Sequence, residues 1–326
     1  MSLSGRTGRA ESAVVVFFAA VVGVSLFAAP SGRTVAGSIT VDGRVRTYLL
    51  HIPPQGDSPR PMPLVLAFHG GGGQGPGMER LTRFDAIADR EGFLVAYPDG
   101  VKRGWNDERG DAADLLERGN VDDVAFVAAL LDAIAREHAV DVRRIFATGM
   151  SNGAIFCNLL GDRLAPRIAA IAPVAGGLAA PLEASFAPAR PVSVLLINGT
   201  KDPLVPYAGG FVVNRRRGEV VGAERTARLW AARDGCAAEP RAARLPDTDP
   251  TDGCIARETT WAGGTGGAEV TLLTIEGGGH TWPGGAQYLP RGIIGRVCRD
   301  FDASERIWAF FAAHPKPEGK PATARM

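Results

Sequence analysis

Ser151 lies in a sequence context that is typical of a serine nucleophile. It is the central residue of the pentapeptide 149–153, Gly-Met-Ser-Asn-Gly, which follows the apolar run 145–148 and precedes the apolar segment 154–160. This order predicts a strand, a sharp turn and a helix, with the serine at the apex of the turn. The flanking glycines are needed because a side chain at Gly149 or Gly153 would collide with the neighbouring segment.

An acid that could orient a histidine follows the apolar run 192–197. Asp202 comes directly after this predicted strand, in the segment Asn198–Pro203. Asp99 is the alternative acid, because it ends an earlier predicted strand. A strand–turn–helix serine is followed in the chain by the acid and then by the histidine, and this order favours Asp202.

The general base is predicted to be His280, one of five histidines in the chain. It lies in a glycine loop after the apolar run 270–275, where a loop at a strand end can place an imidazole above the serine. The other four have less suitable positions: His51 closes an early strand, His69 precedes a glycine run, His138 ends a predicted helix and His314 lies in a tail rich in Pro and Lys.

The oxyanion of an acyl-transfer intermediate needs backbone N–H donors, and two segments predict them. The buried strand 63–68 runs into His69 and four glycines, from which Gly70 and Gly71 are the candidate donors. Asn152, the residue after the serine, supplies the other N–H. A phosphate-binding loop is the alternative for the glycine run, but no Gly-Lys-Ser/Thr ending and no dinucleotide-type glycine spacing accompany it.

Together these motifs resemble the secreted polyhydroxybutyrate depolymerase and feruloyl esterase family of α/β-hydrolases. The matching segments are His69-Gly70, 93–100, Gly104-Trp105-Asn106, 121–126, 144–153, 198–202 and 279–284. The resemblance implies an α/β-hydrolase fold, a mostly parallel central sheet with helices on both faces. It also implies the triad Ser151, Asp202 and His280, and a substrate crevice lined by Trp282 and Trp105. The four-glycine run after His69 departs from many relatives.

Alternating predicted strands and helices agree with such a fold. A β-hairpin is predicted at 38–50 with Asp42-Gly43 at its turn, and helices at 80–90, 122–137, 223–233 and 303–313. Asp122 or Asp123 is expected to cap the second of these helices. Trp282 is expected to cover an acyl or aromatic group, with simple packing as the alternative.

The domain prediction places a signal peptide or an N-terminal anchor at 1–30, a catalytic domain at 31–314 and a disordered tail at 315–326. Arginines precede an apolar stretch from Ala13 to Ala29, which predicts export to the periplasm or the medium. An uncleaved leader that holds the protein at the membrane is the alternative. Otherwise no stable membrane partner is expected.

Export permits disulfides, and the favoured pair is Cys236 with Cys254, which would staple a polar loop. Cys157 is predicted to be a core residue, and a second pair with Cys298 stays open. No metal and no organic cofactor are predicted, because neither cysteines nor histidines have ligand spacing. A calcium site in the acidic segment 107–117 is a minor alternative.

Composition favours one large globular domain, and the motifs favour a small-molecule or oligomeric ester as its partner. The chain has 326 residues, 45% of them hydrophobic, which is enough to bury one α/β core. A formal net charge of +1 gives no bias toward nucleic acid.

The sequence therefore predicts a serine carboxylic-ester hydrolase that acts on hydroxyalkanoate oligomers or hydroxycinnamoyl (feruloyl) esters. The alternatives are an acyltransferase that uses the same triad with a sugar or lipid acceptor, and a catalytically silent binding protein.

Overall fold

The architecture comes from a computed structural model that describes residues 1–2, 31–56, 58–110, 121–212 and 217–317. The chain divides into two units, 1–30 and 31–326, and the described helices and strands all belong to the second. Residues 3–30 of the predicted leader and most of the predicted tail lie outside the described residues. Within the described ranges, no helix is both long and apolar enough to cross a bilayer.

An antiparallel hairpin opens the described chain. Strand β1 (Arg33–Val41) pairs with β2 (Arg44–Ile52), and Val41 lies opposite Arg44. Asp42 and Gly43 form the two-residue turn with φ values of 49° and 71°. A turn with two positive φ angles matches the right-handed twist of the strands, and Asp-Gly is well suited to it. The predicted hairpin is confirmed.

Ten strands of the described chain form one sheet. The other eight are β3 (Met62–Phe68), β4 (Leu94–Pro98), β5 (Val140–Met150), β6 (Ala170–Val174), β7 (Ser193–Gly199), β10 (Arg241–Arg244), β11 (Ile255–Trp261) and β12 (Val270–Glu276). Their order is β1-β2-β4-β3-β5-β6-β7-β12-β11-β10. Two short strands, β8 (Gly209–Phe211) and β9 (Glu219–Val221), pair separately.

The centre of the sheet is parallel, from β4 through β3, β5, β6 and β7 to β12. Every residue of β3, β4, β6 and β7 is buried. Strands buried on both faces are continuous apolar runs rather than alternating ones, and this is the pattern that predicted them. The mostly parallel α/β fold is thereby confirmed.

Helices cover both faces of the sheet. The described helices are α1 (Gly75–Thr82), α2 (Phe84–Glu91), α3 (Asp123–Glu137), α4 (Asn152–Arg163), α5 (Ala223–Asp234), α6 (Arg291–Ile294) and α7 (Ala303–Ala313). Phe126, Phe156 and Trp230 bring α3, α4 and α5 into one core cluster. Phe84 and Phe311 bring α2 and α7 into a second cluster.

One predicted helix is in fact two. The continuous helix expected at 80–90 is broken at Arg83, whose φ is 53°, so that α1 ends and α2 begins there. Met78 and Phe84 are both buried, although six positions of a continuous helix would separate them by about 120° around its axis. The break lets both side chains reach the core.

The caps of α3 and α7 follow the local sequence. Asp122 accepts a hydrogen bond from the N–H of Ala125 at 2.8 Å, as predicted for a capping aspartate. Asp123 instead forms a buried ion pair with Arg46 at 2.7 Å. Helix α7 has the predicted bounds, and Asp302 accepts hydrogen bonds from two N–H groups of its first turn.

The start of the predicted tail is anchored. Lys316 donates its N–H to Arg143 O at 2.8 Å and accepts a hydrogen bond from Arg143 Nε at 2.9 Å. The prediction of disorder from Pro315 is therefore wrong for residues 315–317. Two backbone groups of Lys316 find partners at the start of β5, which fixes this segment.

Candidate active site

The turn between β5 and α4 carries Ser151 in a strained conformation. Its φ is 58° and its ψ is −121°, a region that non-glycine residues rarely occupy. The N–H of Ser151 donates to Val174 O at 3.0 Å, which ties the turn to the end of β6. Such a turn projects the serine hydroxyl away from the sheet at the carboxyl ends of the strands.

Glycine is required on both sides of this serine. A Cβ at Gly149 would lie 2.6 Å from Gly153 O, and a Cβ at Gly153 would overlap Phe68 O. Both distances are shorter than any real Cβ contact, so the backbone of the turn packs directly on itself and on the end of β3. The steric reason given for these glycines from the sequence agrees with the structure.

The glycine loop after β3 lies beside the serine. A Cβ at Gly70 would be 3.3 Å from the Cβ of Ser151, and one at Gly71 would be 3.8 Å from the Cβ of Asn152. The N–H groups of Gly72 and Gly73 donate to Arg103 O and to Gly70 O. These two donors are thus already engaged, which leaves Gly70, Gly71 and Asn152 as the sources of N–H groups near the hydroxyl.

His69 holds this loop in place. Its Nε2 accepts a hydrogen bond from the N–H of Gly100 at 3.0 Å, and its Nδ1 lies 2.8 Å from Gly70 O. Because the Gly100 N–H can only donate, Nδ1 carries the proton and donates to Gly70 O. His69 therefore shapes the glycine loop.

Asp202 and His280 form a buried pair. Nδ1 of His280 lies 2.7 Å from Oδ2 of Asp202, and both side chains are at most 3% exposed. The other carboxylate oxygen accepts hydrogen bonds from the N–H groups of Leu204 and Val205, at 2.8 and 2.9 Å. An ionised carboxylate only accepts hydrogen bonds, so Nδ1 holds the proton and Nε2 is left as the basic nitrogen.

The loops that carry the acid and the histidine are joined through their strands. Strand β7 pairs in parallel with β12, and Ile275 lies opposite Gly199. Beyond that pair, Thr200 N–H donates to Ile275 O and Lys201 N–H donates to Gly278 O, both at 2.9 Å. The two loops therefore continue as hydrogen-bonded neighbours past the end of the sheet.

Ser151 and His280 line one cavity of about 760 Å³. Gly70–Gly73 and Asn152 line it as well. Its apolar lining consists of Met78, Leu81, Met150, Leu204, Val212 and Leu289. The structure thus gathers the predicted nucleophile, base and oxyanion donors around a space large enough for a small ester.

Asp99, the alternative acid, has a different role. Its Oδ1 accepts a hydrogen bond from the N–H of Gly75 at 2.8 Å, and its Oδ2 accepts one from the hydroxyl of Thr47 at 2.7 Å. It thereby connects the start of α1 with β2. Asp202, not Asp99, is the acid in contact with His280.

Neither of the predicted substrate-binding tryptophans lines the cavity described above. Trp105 is 1% exposed, donates its indole N–H to His69 O at 2.9 Å and stacks on Phe156. Trp282 is also 1% exposed and donates its indole N–H to Ser304 Oγ at 3.1 Å. The prediction of substrate contact is wrong for both, because each indole N–H is engaged inside the protein. Packing, the alternative for Trp282, is what the structure shows.

Trp105 nevertheless belongs to the support of the site. Its N–H donates to Asn152 Oδ1 at 2.7 Å, and its carbonyl accepts from Asn152 Nδ2 at 2.9 Å. The same amide nitrogen donates to Asp107 Oδ2 at 2.7 Å. The side chain of Asn152 therefore clamps the 105–107 segment to the start of α4, while its backbone N–H remains beside Ser151.

Sequence reasoning missed several residues of the cavity. Tyr288 lines it and donates its hydroxyl to His280 O at 2.9 Å. Burial, followed by the charge of Asp202, raises the pKa of Tyr288 above its usual range, which keeps the phenol neutral. Arg103 and Arg109 line the cavity as well. They lie in segments with no regular periodicity, so the sequence offers no signal for them beyond their proximity to Trp105.

The predicted Cys236–Cys254 disulfide is absent: all four cysteines are free thiols. Cys236 contacts Ala268 O beyond the end of β11, whereas Cys254 immediately precedes its first residue. Seven residues of strand separate the two ends of β11 by about 20 Å. Cys254 lies beside Cys298, with sulfur atoms within 4.8 Å. Cys157 is buried in the core, as predicted.

Comparisons with known proteins agree with the fold. The acetyl xylan esterase from Aspergillus awamori superposes with a TM-score of 0.56 at 15% identity, covering 85% of this chain and 99% of that one. With the strand order and the turn at Ser151, this likeness defines the class as an α/β-hydrolase.

Sequence relatives identify the family. The sequence model described as Esterase PHB depolymerase matches residues 46–194. "Putative esterase NocK" of Nocardia uniformis subsp. tsuyamanensis is 32% identical over 83% of this chain and 80% of that protein. Feruloyl esterase B of Piromyces equi is 33% identical over 67% of this chain, but the match spans only 39% of that longer protein. The chain belongs to the PHB depolymerase family of esterases, and its class of activity is carboxylic-ester hydrolysis.

Proposed function

We propose that the protein hydrolyses carboxylic esters through a serine acyl-enzyme. His280 Nε2 takes the proton of Ser151, whose hydroxyl oxygen attacks the ester carbonyl. Asp202 orients the imidazole and stabilises its protonated form. The observation that supports this most is the buried Asp202–His280 pair, which shares a cavity with a serine held in a strained turn.

The tetrahedral intermediate needs donors for its negative oxygen. The N–H of Asn152 and that of Gly70 or Gly71 are the donors we assign, since Gly72 and Gly73 donate elsewhere. The intermediate then collapses as His280 returns the proton to the leaving alcohol. Water repeats the sequence on the acyl-enzyme and frees Ser151.

The substrates we propose are hydroxyalkanoate oligomers or hydroxycinnamoyl esters, for which the description of the matching family and the name of feruloyl esterase B of Piromyces equi give support. A cavity of about 760 Å³ lies within the usual range of small-molecule sites. Residues 31–314 form the proposed catalytic domain, and residues 1–30 are proposed to direct export or membrane attachment.

The test compares Ser151→Ala with the wild type on 4-nitrophenyl butyrate. We expect a loss of kcat of at least about 10⁴-fold, because removal of a nucleophile leaves only binding and the oxyanion donors. Ser185→Ala is the matched control, since Ser185 lies outside the cavity lining and its hydroxyl donates to Leu182 O.

A fluorophosphonate probe provides a second reading of the same proposal. We expect one equivalent to label Ser151 in the wild type and none in Ser151→Ala. Folded wild-type protein that neither labels nor turns over ester would contradict the proposal and favour a binding protein. Labelling without hydrolysis, with ester formed when an acceptor alcohol is added, would favour an acyltransferase.

A further inference from the structure

The cavity around Ser151 has an unbalanced charge lining. Lys102, Arg103, Arg109 and Arg217 line it, and we call these four the cationic wall. Among the described residues of the lining there is no aspartate or glutamate. The whole chain carries 36 basic and 35 acidic residues, so this excess is local to the cavity.

Arg109 is the buried member of the cationic wall. Its side chain is 6% exposed, and its Nε lies 3.3 Å from Asp107 Oδ1. Within the described residues, Nε has no partner in hydrogen-bonding geometry. Asp107 also accepts a hydrogen bond from Asn152 Nδ2, so its charge is shared. A guanidinium has five donors, and one shared carboxylate leaves capacity for a second anion.

The backbone brings the two sides of the cationic wall together. Arg109 O accepts a hydrogen bond from the N–H of Glu219 at 3.1 Å, and a Cβ at Gly218 would overlap that carbonyl. This contact places the 217–219 segment directly on Arg109. Arg217 is therefore presented to the cavity by the same contact that fixes Arg109.

The exposed members Lys102 and Arg103 lie in strained backbone. Their φ values are 48° and 62°, in the left-handed region that costs a non-glycine residue free energy. Arg103 O accepts the N–H of Gly72, which anchors this turn to the glycine loop beside Ser151. Two consecutive cationic residues are thus held in an unfavourable conformation at the cavity.

We propose that the cavity selects esters that carry a carboxylate or a similar anion, with Arg109 and Arg103 as its recognition residues. This inference rests on the esterase function proposed above. The apolar lining takes the hydrocarbon part of the substrate, and the anion pairs with the guanidinium groups. A neutral ester of the same size brings no charge to the guanidinium of Arg109, which then has the shared carboxylate of Asp107 as its counter-charge.

The test uses pairs of esters that differ in charge. On the acyl side, mono-4-nitrophenyl glutarate is compared with 4-nitrophenyl pentanoate. On the alcohol side, 3-acetoxybutyrate is compared with sec-butyl acetate. We expect kcat/KM to be about 10- to 100-fold higher for the anionic member of at least one pair, the range of a charged hydrogen bond. The pair that shows the effect identifies the side of the ester that faces the cationic wall.

Substitution assigns the effect to residues. Arg109→Gln and Arg103→Gln are each expected to lower the anionic-to-neutral ratio of kcat/KM severalfold, mainly through KM. Arg83→Gln is the matched control, because Arg83 pairs with Asp302 and lies outside the lining. Circular dichroism checks that Arg109→Gln folds. If this variant does not fold, the ratio measured for Arg103→Gln, a change at an exposed residue, tests the inference.

Two results would overturn the inference while leaving the esterase function intact. One is rapid hydrolysis of the neutral esters with a ratio of one or less. The other is a ratio that neither arginine substitution changes. If no ester is turned over, the esterase proposal fails instead. The inference is then tested by calorimetric titration of the protein with glutarate. Binding to the wild type that is lost in Arg109→Gln supports the inference. Absence of binding to the wild type refutes it.

A second, independent observation concerns Cys254 and Cys298. Both are buried, and their sulfur atoms lie within 4.8 Å of each other. Asp252 completes a group that could hold a metal ion. Its oxygens, however, accept the N–H groups of Cys254 and Arg299, both at 2.6 Å. This carboxylate is engaged in fixing the backbone, which favours a reaction between the two thiols.

We infer that Cys254 and Cys298 form a disulfide when the protein meets a disulfide oxidant. One sulfur–sulfur bond forms, and the two thiol protons and two electrons pass to the oxidant, which is reduced to two thiols. The closed loop contains His280, whose N–H donates to Ile294 O at 2.6 Å. The disulfide would therefore restrain the segment that contains Ile294, to which the histidine loop is hydrogen-bonded.

Alkylation of the denatured protein counts the thiols. After treatment with oxidised glutathione, we expect two alkylated cysteines, Cys157 and Cys236, and a peptide that links residues 254 and 298. Reduction is expected to lower the Tm by roughly 5–15 °C. Cys254→Ser should abolish this shift, and Cys236→Ser should keep it. Four alkylated cysteines, or one equivalent of bound zinc that blocks oxidation, would overturn the inference.

Discussion

The turn at Ser151 and the cationic wall face the same cavity but are built in different ways. The turn is fixed by backbone packed on backbone, since Gly149 and Gly153 leave no room for a side chain. The cationic wall consists of side chains from separate loops, held by long-range contacts such as the one between Arg109 O and Glu219 N–H. The conformation of the serine turn is therefore set by backbone packing around it, whereas the cationic wall is held together by a contact between segments far apart in sequence.

Because of this difference, we expect the two regions to respond differently to substitution. A change in the turn alters the backbone and with it the fold of β5 and α4. A change in the cationic wall alters a charge and leaves the sheet in place. Substitutions in the first region should reduce activity toward every ester, and those in the second should change the ratio between esters.

The largest effect is expected for Asp202→Asn. The amide offers an N–H or an oxygen in place of the anion, and the imidazole loses its orientation and the stabilisation of its protonated form. We expect kcat to fall about 10⁴-fold with the same relative loss for neutral and anionic esters. Asp99→Asn is the control, since the side chain of Asp99 accepts hydrogen bonds from Thr47 and Gly75. A greater loss of kcat from Asp99→Asn would show that Asp99, and not Asp202, is the acid that assists His280.

Gly153→Ala tests the claim that the turn is set by backbone packing. The new Cβ would overlap Phe68 O, and either β3 or α4 must move. We expect a loss of at least about 3 kcal/mol in the free energy of unfolding, measured by urea titration. Gly292→Ala is the control, because nothing lies within 4 Å of a Cβ there. Equal stability of the two variants would refute the steric argument.

Asp234 offers a change in stability that involves neither region. Burial raises its pKa to about 7, while a hydrogen bond from the N–H of Val192 acts in the opposite direction. A carboxyl with a raised pKa stabilises the fold fully below its unfolded value of 3.8, and this stabilisation is lost as the pH rises toward 7.

Asp234→Asn is therefore expected to raise the free energy of unfolding at pH 8 by roughly 2 kcal/mol and to have little effect at pH 4. Urea titrations at the two pH values check this. The anionic-to-neutral ratio of kcat/KM should not change, because Asp234 lies outside the cavity lining. An equal effect at both pH values would show that the carboxyl does not titrate.

The smallest effect is expected for Asp107→Asn. Its side chain keeps an oxygen that can accept from Asn152 Nδ2, but it no longer neutralises Arg109. The anionic-to-neutral ratio of kcat/KM should rise about two- to fivefold, opposite in sign to Arg109→Gln. A fall in the anionic-to-neutral ratio of kcat/KM would show that Arg109 does not recognise the anionic group of the substrate.

Local signals in the sequence predicted much of the scaffold. The Asp42-Gly43 turn, the capping Asp122 and the bounds of α7 depend on neighbouring residues, and all three are present. The parallel sheet was predictable from apolar runs that alternate with helical segments. These features need no knowledge of distant contacts.

Features that depend on distant contacts were not predictable. The break at Arg83 arises because Met78 and Phe84 pack into the same side of the sheet. Trp282 lies close to His280 in sequence, but its indole N–H bonds Ser304 at the start of α7. Cys254 pairs in space with Cys298 because β11 carries Cys254 away from Cys236. In each case, the structure depends on a contact with a part of the chain outside the segment from which the prediction was made.

The pairing of β7 with β12 has a mechanical consequence. The acid loop and the histidine loop continue this ladder, so we expect Asp202 and His280 to move together, whereas Ser151 directly follows β5. Strands β6 and β7 lie between β5 and β12 in the sheet. Strands β5 and β12 are therefore three strand spacings apart, or about 14 Å. Twisting of the sheet across β6 would change the reach from imidazole to hydroxyl and leave the imidazole–carboxylate bond at its original length.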